Sequence, residues 1–138
     1  MPLATVGAAL VEAVGAGCLG SNAKAPQMQA SGLPVLGNAA FALGVRDARA
    51  SAPAVMLLAN ASASLVLGGG CTLYVGGTVA NLPATTNASG VATVPVAIPN
   101  NLAFVGVELW AQFGIADAGG SYLGAVTISD GTHLLLGK

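Results

Sequence analysis

The clearest alternation of apolar and polar positions runs from Phe104 to Phe113. Val105, Val107, Leu109, Ala111 and Phe113 fall on one side, and Glu108, Trp110 and Gln112 on the other. A period of two is that of a strand with one buried face. Shorter runs of the same kind recur every ten to fifteen residues, separated by Gly, Pro and Asn. The pattern predicts strands over Gln27–Ser31, over Ala40–Val45 with Phe41, Leu43 and Val45 on one face, and over the wholly apolar Ala54–Ala59. After the break Gly68-Gly69-Gly70, Cys71, Leu73 and Val75 alternate with Thr72 and Tyr74. Asn87-Ala88-Ser89-Gly90 predicts a turn, and Val91–Ile98 a strand whose Pro95 places it at an edge or a bulge. The Asp-Gly pair in Ser129-Asp130-Gly131 predicts a tight turn joining Leu123–Ile128 to Thr132–Leu136. The expected inward set is Phe41, Leu43, Leu57, Leu73, Val105, Val107, Leu109 and Phe113.

Short strands at this spacing, with no long helical pattern between them, predict an all-β protein. The expected fold is a Greek-key or jelly-roll-like β-sandwich of about eight strands. Residues 15–138 form its single domain, and residues 1–14 an apolar extension. In that extension Val6, Ala9, Leu10, Ala13 and Val14 also fit a helical face, but the β-branched residues and the context favour a strand. An apolar stretch left loose invites aggregation. Leu3, Val6, Leu10, Val11 and Val14 are therefore candidate interface residues, on a strand that adds to a neighbour's sheet.

Composition narrows the function. Only 7% of the 138 residues are charged, against about 25% in an ordinary soluble domain, and the net charge is -1. Such a chain has no basic patch to displace counterions from a nucleic acid and no Lys/Arg cluster for anionic lipid. No run is long and apolar enough for a transmembrane helix. Before Lys24 there is no basic residue, and Glu12 interrupts the apolar start, so the beginning is a poor signal peptide. Ala and the 20 Gly residues give a small-side-chain surface with little charge to oppose self-association.

Candidate chemistry is sparse. The acids Glu12, Asp47, Glu108, Asp117 and Asp130 are scattered, without a glycosidase pair or a calcium-loop spacing. His133 follows Ser129 and Asp130 around one expected turn, which is no catalytic triad, and reads as a solvent-facing side chain of the last strand. No catalytic residue, metal ligand or cofactor is assigned, and the chain reads as a non-enzyme. The sole tryptophan, Trp110, stands on the polar face of its strand as a candidate interface anchor or sugar platform. Asn60-Ala61-Ser62 and Asn87-Ala88-Ser89 match the N-glycosylation triplet. In an exported β-protein the two cysteines, Cys18 and Cys71, read as a disulfide, closing a loop of about 53 residues and worth on the order of 4 kcal/mol.

Several blocks carry a resemblance. Gly15-Ala16-Gly17-Cys18-Leu19-Gly20-Ser21, Ala30-Ser31-Gly32-Leu33-Pro34-Val35-Leu36-Gly37-Asn38 and Gly68-Gly69-Gly70-Cys71-Thr72-Leu73 are three of them. Pro95-Val96-Ala97-Ile98-Pro99-Asn100 and Leu109-Trp110-Ala111-Gln112 complete the set. Together, from Val14 to Leu136, they resemble an uncharacterised β-rich module, often C-terminal, of large secreted proteins in planctomycete-like environmental bacteria. The resemblance implies export and the Cys18–Cys71 bridge. The function expected is a secreted, extracellular or cell-surface structural protein whose partner is itself, as the subunit of a homopolymeric fibre or surface layer. The alternatives are a carbohydrate- or envelope-binding module built on Trp110, and a sorting or anchoring domain.

Overall fold

The computed structural model describes residues 8–138. Its described part holds eight strands: β1 (Leu10–Val14), β2 (Gln27–Ser31), β3 (Ala42–Arg46), β4 (Pro53–Gly68), β5 (Cys71–Thr85), β6 (Ala92–Pro95), β7 (Glu108–Ala116) and β8 (Val126–Leu135). A single 3-10 turn, Leu102–Phe104, precedes β7. All pairings between strands are antiparallel. They make one sheet in the order β1-β8-β7-β4-β5 and a second in the order β2-β3-β6.

The two sheets bury their facing sides against each other, as a β-sandwich does. From the smaller sheet and its flanks come Phe41, Leu43, Val45, Ala92, Val94 and Ile98, and from the larger come Met56, Ala111, Phe113, Ile115, Leu134 and Leu136. The alternation has the expected parity from Val107 on: Ala111 and Phe113 are fully buried in this core, and Leu109 and Val107 pack on its margin, whereas Val105, also expected inward, closes the 3-10 turn and is only partly buried. Glu108 stays out in solvent. Pro95 sits in β6, an edge strand, where its missing N–H costs no ladder bond.

Four expectations change. The strand expected over Phe104–Phe113 begins only at Glu108, because Asn101 caps the 3-10 turn by accepting the Ala103 N–H. Leu57 lies on the opposite face from its neighbour Met56, which takes the core position; in a wholly apolar run, alternation carries no phase. Leu73 is only partly buried and pairs with Leu65, away from the main core. The final hairpin does not exist. β8 runs unbroken through Ser129-Asp130-Gly131, and the extra residues are absorbed as an irregularity opposite Gln112–Gly114. The Ser129 hydroxyl accepts the Phe113 N–H at 2.9 Å, filling the gap in the ladder.

The extension is not separate from the domain. Leu10–Val14 forms the edge strand β1, with Leu10 opposite Leu135 and Val14 opposite Gly131. Leu3 and Val6 lie outside the described residues.

The feature with most consequence is the β4–β5 hairpin. β4 has 16 residues and β5 has 15, well beyond the segments expected from sequence. β4 pairs with β7 only from Ala54 to Ala59. Beyond that the hairpin folds back over the outer face of the large sheet, so that Gly69 reaches Ser121 and Cys71 reaches Cys18. The bend passes through Gly77, whose φ of +60° suits glycine and whose absent Cβ would meet the Asn60 side chain at 2.7 Å. The Cys18–Cys71 disulfide fixes the tip of this flap, with Cα atoms 4.9 Å apart across 53 residues of sequence. Replacing both cysteines by serine is expected to lower unfolding free energy by about 4 kcal/mol. Chemical denaturation checks this, and an unchanged midpoint would mean the flap holds without its tether.

Candidate functional site

The outer face of β7 and β8 is where the chain's unusual side chains gather. Gln112 points to this face, as the alternation requires, yet it is 1% exposed because the flap covers it. Its carboxamide is fully used. Oε1 accepts the Tyr74 N–H at 2.8 Å, and Nε2 donates to the carbonyls of Thr72 and Ser129 at 2.9 and 2.7 Å. One side chain from β7 thus supplies hydrogen bonds to the flap above and the strand beside it. Beside Gln112, Tyr74 lies over Gly131, whose Cβ would come within 3.1 Å of the Tyr74 Cβ, and over Gly15, where any side chain would collide with its ring; its hydroxyl bonds both the N–H and the carbonyl of Ala16. Under the tip, Cys18, Cys71 and Ile128 form a second apolar cluster with Leu67, Tyr122 and Val126 around it.

Further along the face, Trp110 and His133 stand opposite each other on β7 and β8 and stack, with ring centroids 4.7 Å apart and planes 21° from parallel. Nδ1 of His133 lies 2.6 Å from Glu12 of β1, and Nε2 lies 3.4 Å from Glu108 of β7. A carboxylate only accepts, so Nδ1 carries the proton shared with Glu12. The solvent-facing histidine expected from sequence is therefore corrected: its side chain is 13% exposed and tied to three strands. Trp110 is half-buried with one ring face against the imidazole, so only part of it is available as a platform. The two carboxylates flank His133 from opposite nitrogens and do not converge on a common point. Among the described residues no cluster of His, Cys, Asp and Glu has the arrangement to hold a metal ion.

Asp130, inside β8, is half-buried and accepts the Met28 N–H at 2.7 Å, linking the two sheets. Burial pushes its carboxyl above the ordinary 3.8, against the lowering pull of the Met28 and Asp130 amides and of Arg46. Of the glycosylation triplets, Asn87 is engaged, its Oδ1 accepting the N–H groups of Ser89 and Val91 in the turn.

Two surface features remain. A shallow, open trough of about 330 Å³ lies where β4 and β8 begin and β7 ends, lined by Pro53, Ala54, Val55, Gly114, Ile115, Ala116 and Val126. Gly114 leaves it open, because a side chain there would project from the outer face beside Val55. The second feature is the placement of the large exposed apolar side chains. Leu19, Leu65, Val66 and Leu123 surround the flap tip, and Leu10, Leu33, Leu102 and Phe104 lie at the opposite end of β8. The remaining exposed large hydrophobic among the described residues, Val79, lies in β5 at the bend of the hairpin, beside the β4 stretch Leu58–Ala59. Neither end is marked in the sequence, since Leu123 falls in an expected strand and Leu65, Val66 and Leu102 carry no periodic signal.

No family model, curated protein or solved structure matches the chain.

Replacing Gln112 by Leu keeps the volume but strands three backbone groups of the flap and β8. The expected loss is at least about 2 kcal/mol of stability, checked by denaturant unfolding; a loss under half of that would show that water or a shift of the flap satisfies them. Asp130 gives a pH signature. Its folded-state affinity for a proton exceeds the unfolded one, so its contribution is present below the ordinary 3.8 and is lost as pH rises through the raised value. Asp130→Asn keeps the acceptor for Met28 and is expected to flatten that fall. Melting temperatures across the acid range test it, and identical profiles for both proteins would contradict it.

Proposed function

We propose that this chain is a non-catalytic structural protein of the extracellular space, the subunit of a homopolymeric fibre or surface layer. The observation that carries this reading is the division of exposed apolar side chains between two opposite ends of a molecule with little charge. Leu123 is 82% exposed at one end and Leu102 74% at the other. Large apolar side chains exposed together at one place mark an interaction site. Two different patches at opposite poles join head to tail, and a head-to-tail contact that does not close into a ring propagates as a filament. With a net charge of -1, copies meet little mutual repulsion. The disulfide suits an oxidising compartment, and the resemblance to modules of secreted proteins points the same way.

Electron microscopy of the purified protein at rising concentration tests the reading. Filaments or ordered sheets are expected, and assembly should persist or strengthen at about 1 M salt, where charge-driven contacts are screened. A protein that sediments as a monomer at every concentration would overturn it.

A further inference from the structure

The trough between β4, β7 and β8 has no occupant among the described residues, and the chain supplies a candidate. We propose that it is the acceptor site for the leading segment, residues 1–9, of a second copy, and that Leu3 and Val6 fill it. The inference rests on the fibre reading and deepens it by naming the contact.

Three observations converge. First, polarity: the trough lies at the end where Ala116 pairs with Val126, while β1 begins at the other end, where Leu10 pairs with Leu135. The segment ahead of Leu10 thus starts from the pole opposite the trough. In a copy set end to end, that pole faces the trough of the next molecule. Second, reach: residues 1–9 span up to about 30 Å when extended, enough to cross a joint between subunits and enter a shallow site. Third, chemistry: every residue lining the trough is apolar or glycine, and residues 1–9 carry no charged side chain. Leu3 and Val6 are the large aliphatic side chains of that stretch, and a site of about 330 Å³ holds side chains of that size. Because β1 is fastened to β8 along five paired residues and through Glu12 to His133, a pull on the leading segment is carried into the large sheet.

The test uses full-length variants. Gly114→Leu fills the trough from within. The position has ordinary backbone geometry, and its new Cβ would meet only Val55, at 3.8 Å. Ala116→Asp, on the exposed rim, is a second route to the same block should the first disturb folding. Leu3→Asp with Val6→Asp disables the donor and leaves the trough intact. Each block is expected to raise the concentration needed for assembly at least about tenfold, with unchanged thermal unfolding. Mixed in equal amounts, Gly114→Leu and the Leu3→Asp/Val6→Asp protein retain one working donor and one working acceptor. They are expected to form dimers by analytical ultracentrifugation, and no larger species. If the variants assemble like the wild type, or if the mixture stays monomeric, the acceptor assignment is wrong while the fibre reading stands. If the wild type itself does not assemble, the fibre reading fails instead.

Discussion

The hydrogen bonds of the Gln112 side chain and the Cys18–Cys71 bridge hold the β4–β5 flap against the outer face of the large sheet. Much else follows from that attachment. A sheet in a two-layer sandwich ordinarily has one wet face. Here the flap dries part of the second face, and the polar group left beneath it must be fully paired or it would cost more than it contributes. Gln112 meets that demand with all of its carboxamide's contacts placed on backbone groups. Gly15 is the other half of the arrangement, since the Tyr74 ring occupies the space its side chain would need, while Gly131 lets the Tyr74 Cβ approach closely. The bridge then limits how far the tip can lift when the hairpin breathes.

Covering one part of the outer face also defines what is left uncovered. The flap passes over Gln112, Gly131 and Ile128 and leaves the β4–β7 strip at Val55 and Gly114 open as a trough. Its tip carries Leu65 and Val66 outward to join Leu19 and Leu123 at one end of the molecule. The same event that buries polar groups in the middle therefore concentrates apolar ones at a pole. The Trp110–His133 stack, with Glu12 and Glu108, acts elsewhere. It binds β1 to β8 and β7 and so makes Leu10–Val14 a structural part of the sheet.

The sandwich is legible in the sequence where one face of a strand is apolar and the other polar. β2 has the bounds expected, and Phe41, Leu43 and Phe113 are buried as the twofold pattern implies. The bridge is legible because a single pair of cysteines in a charge-poor β-protein that holds no metal-ligand spacing points to a disulfide. The pattern fails where its physical basis is missing. In Ala54–Ala59 both faces are apolar, so Leu57 cannot be told from Met56. In β5 the alternation of Cys71, Leu73 and Val75 is legible, but Asn60-Ala61-Ser62-Ala63-Ser64 in β4 carries no phase, so the sequence does not show that β4 runs on past Ala59 to build the flap. Asp130-Gly131 has the composition of a turn, but the ladder to β7 and the Met28 contact hold it straight. His133 reads as solvent-facing for a related reason: its partners Glu12 and Glu108 are distant in sequence and meet only through the β1-β8-β7 order.

End-to-end growth through two unlike poles makes a demand on strand direction that sideways growth through sheet edges does not. β8 runs from the trough-bearing end to the other, so head-to-tail assembly lays the strands along the filament. Fibre diffraction from aligned filaments measures this directly. With strands along the filament, the reflection of about 4.7–4.8 Å from strand spacing is expected on the equator. The same reflection on the meridian would mean that subunits add through their edge strands, contradicting the two-pole account.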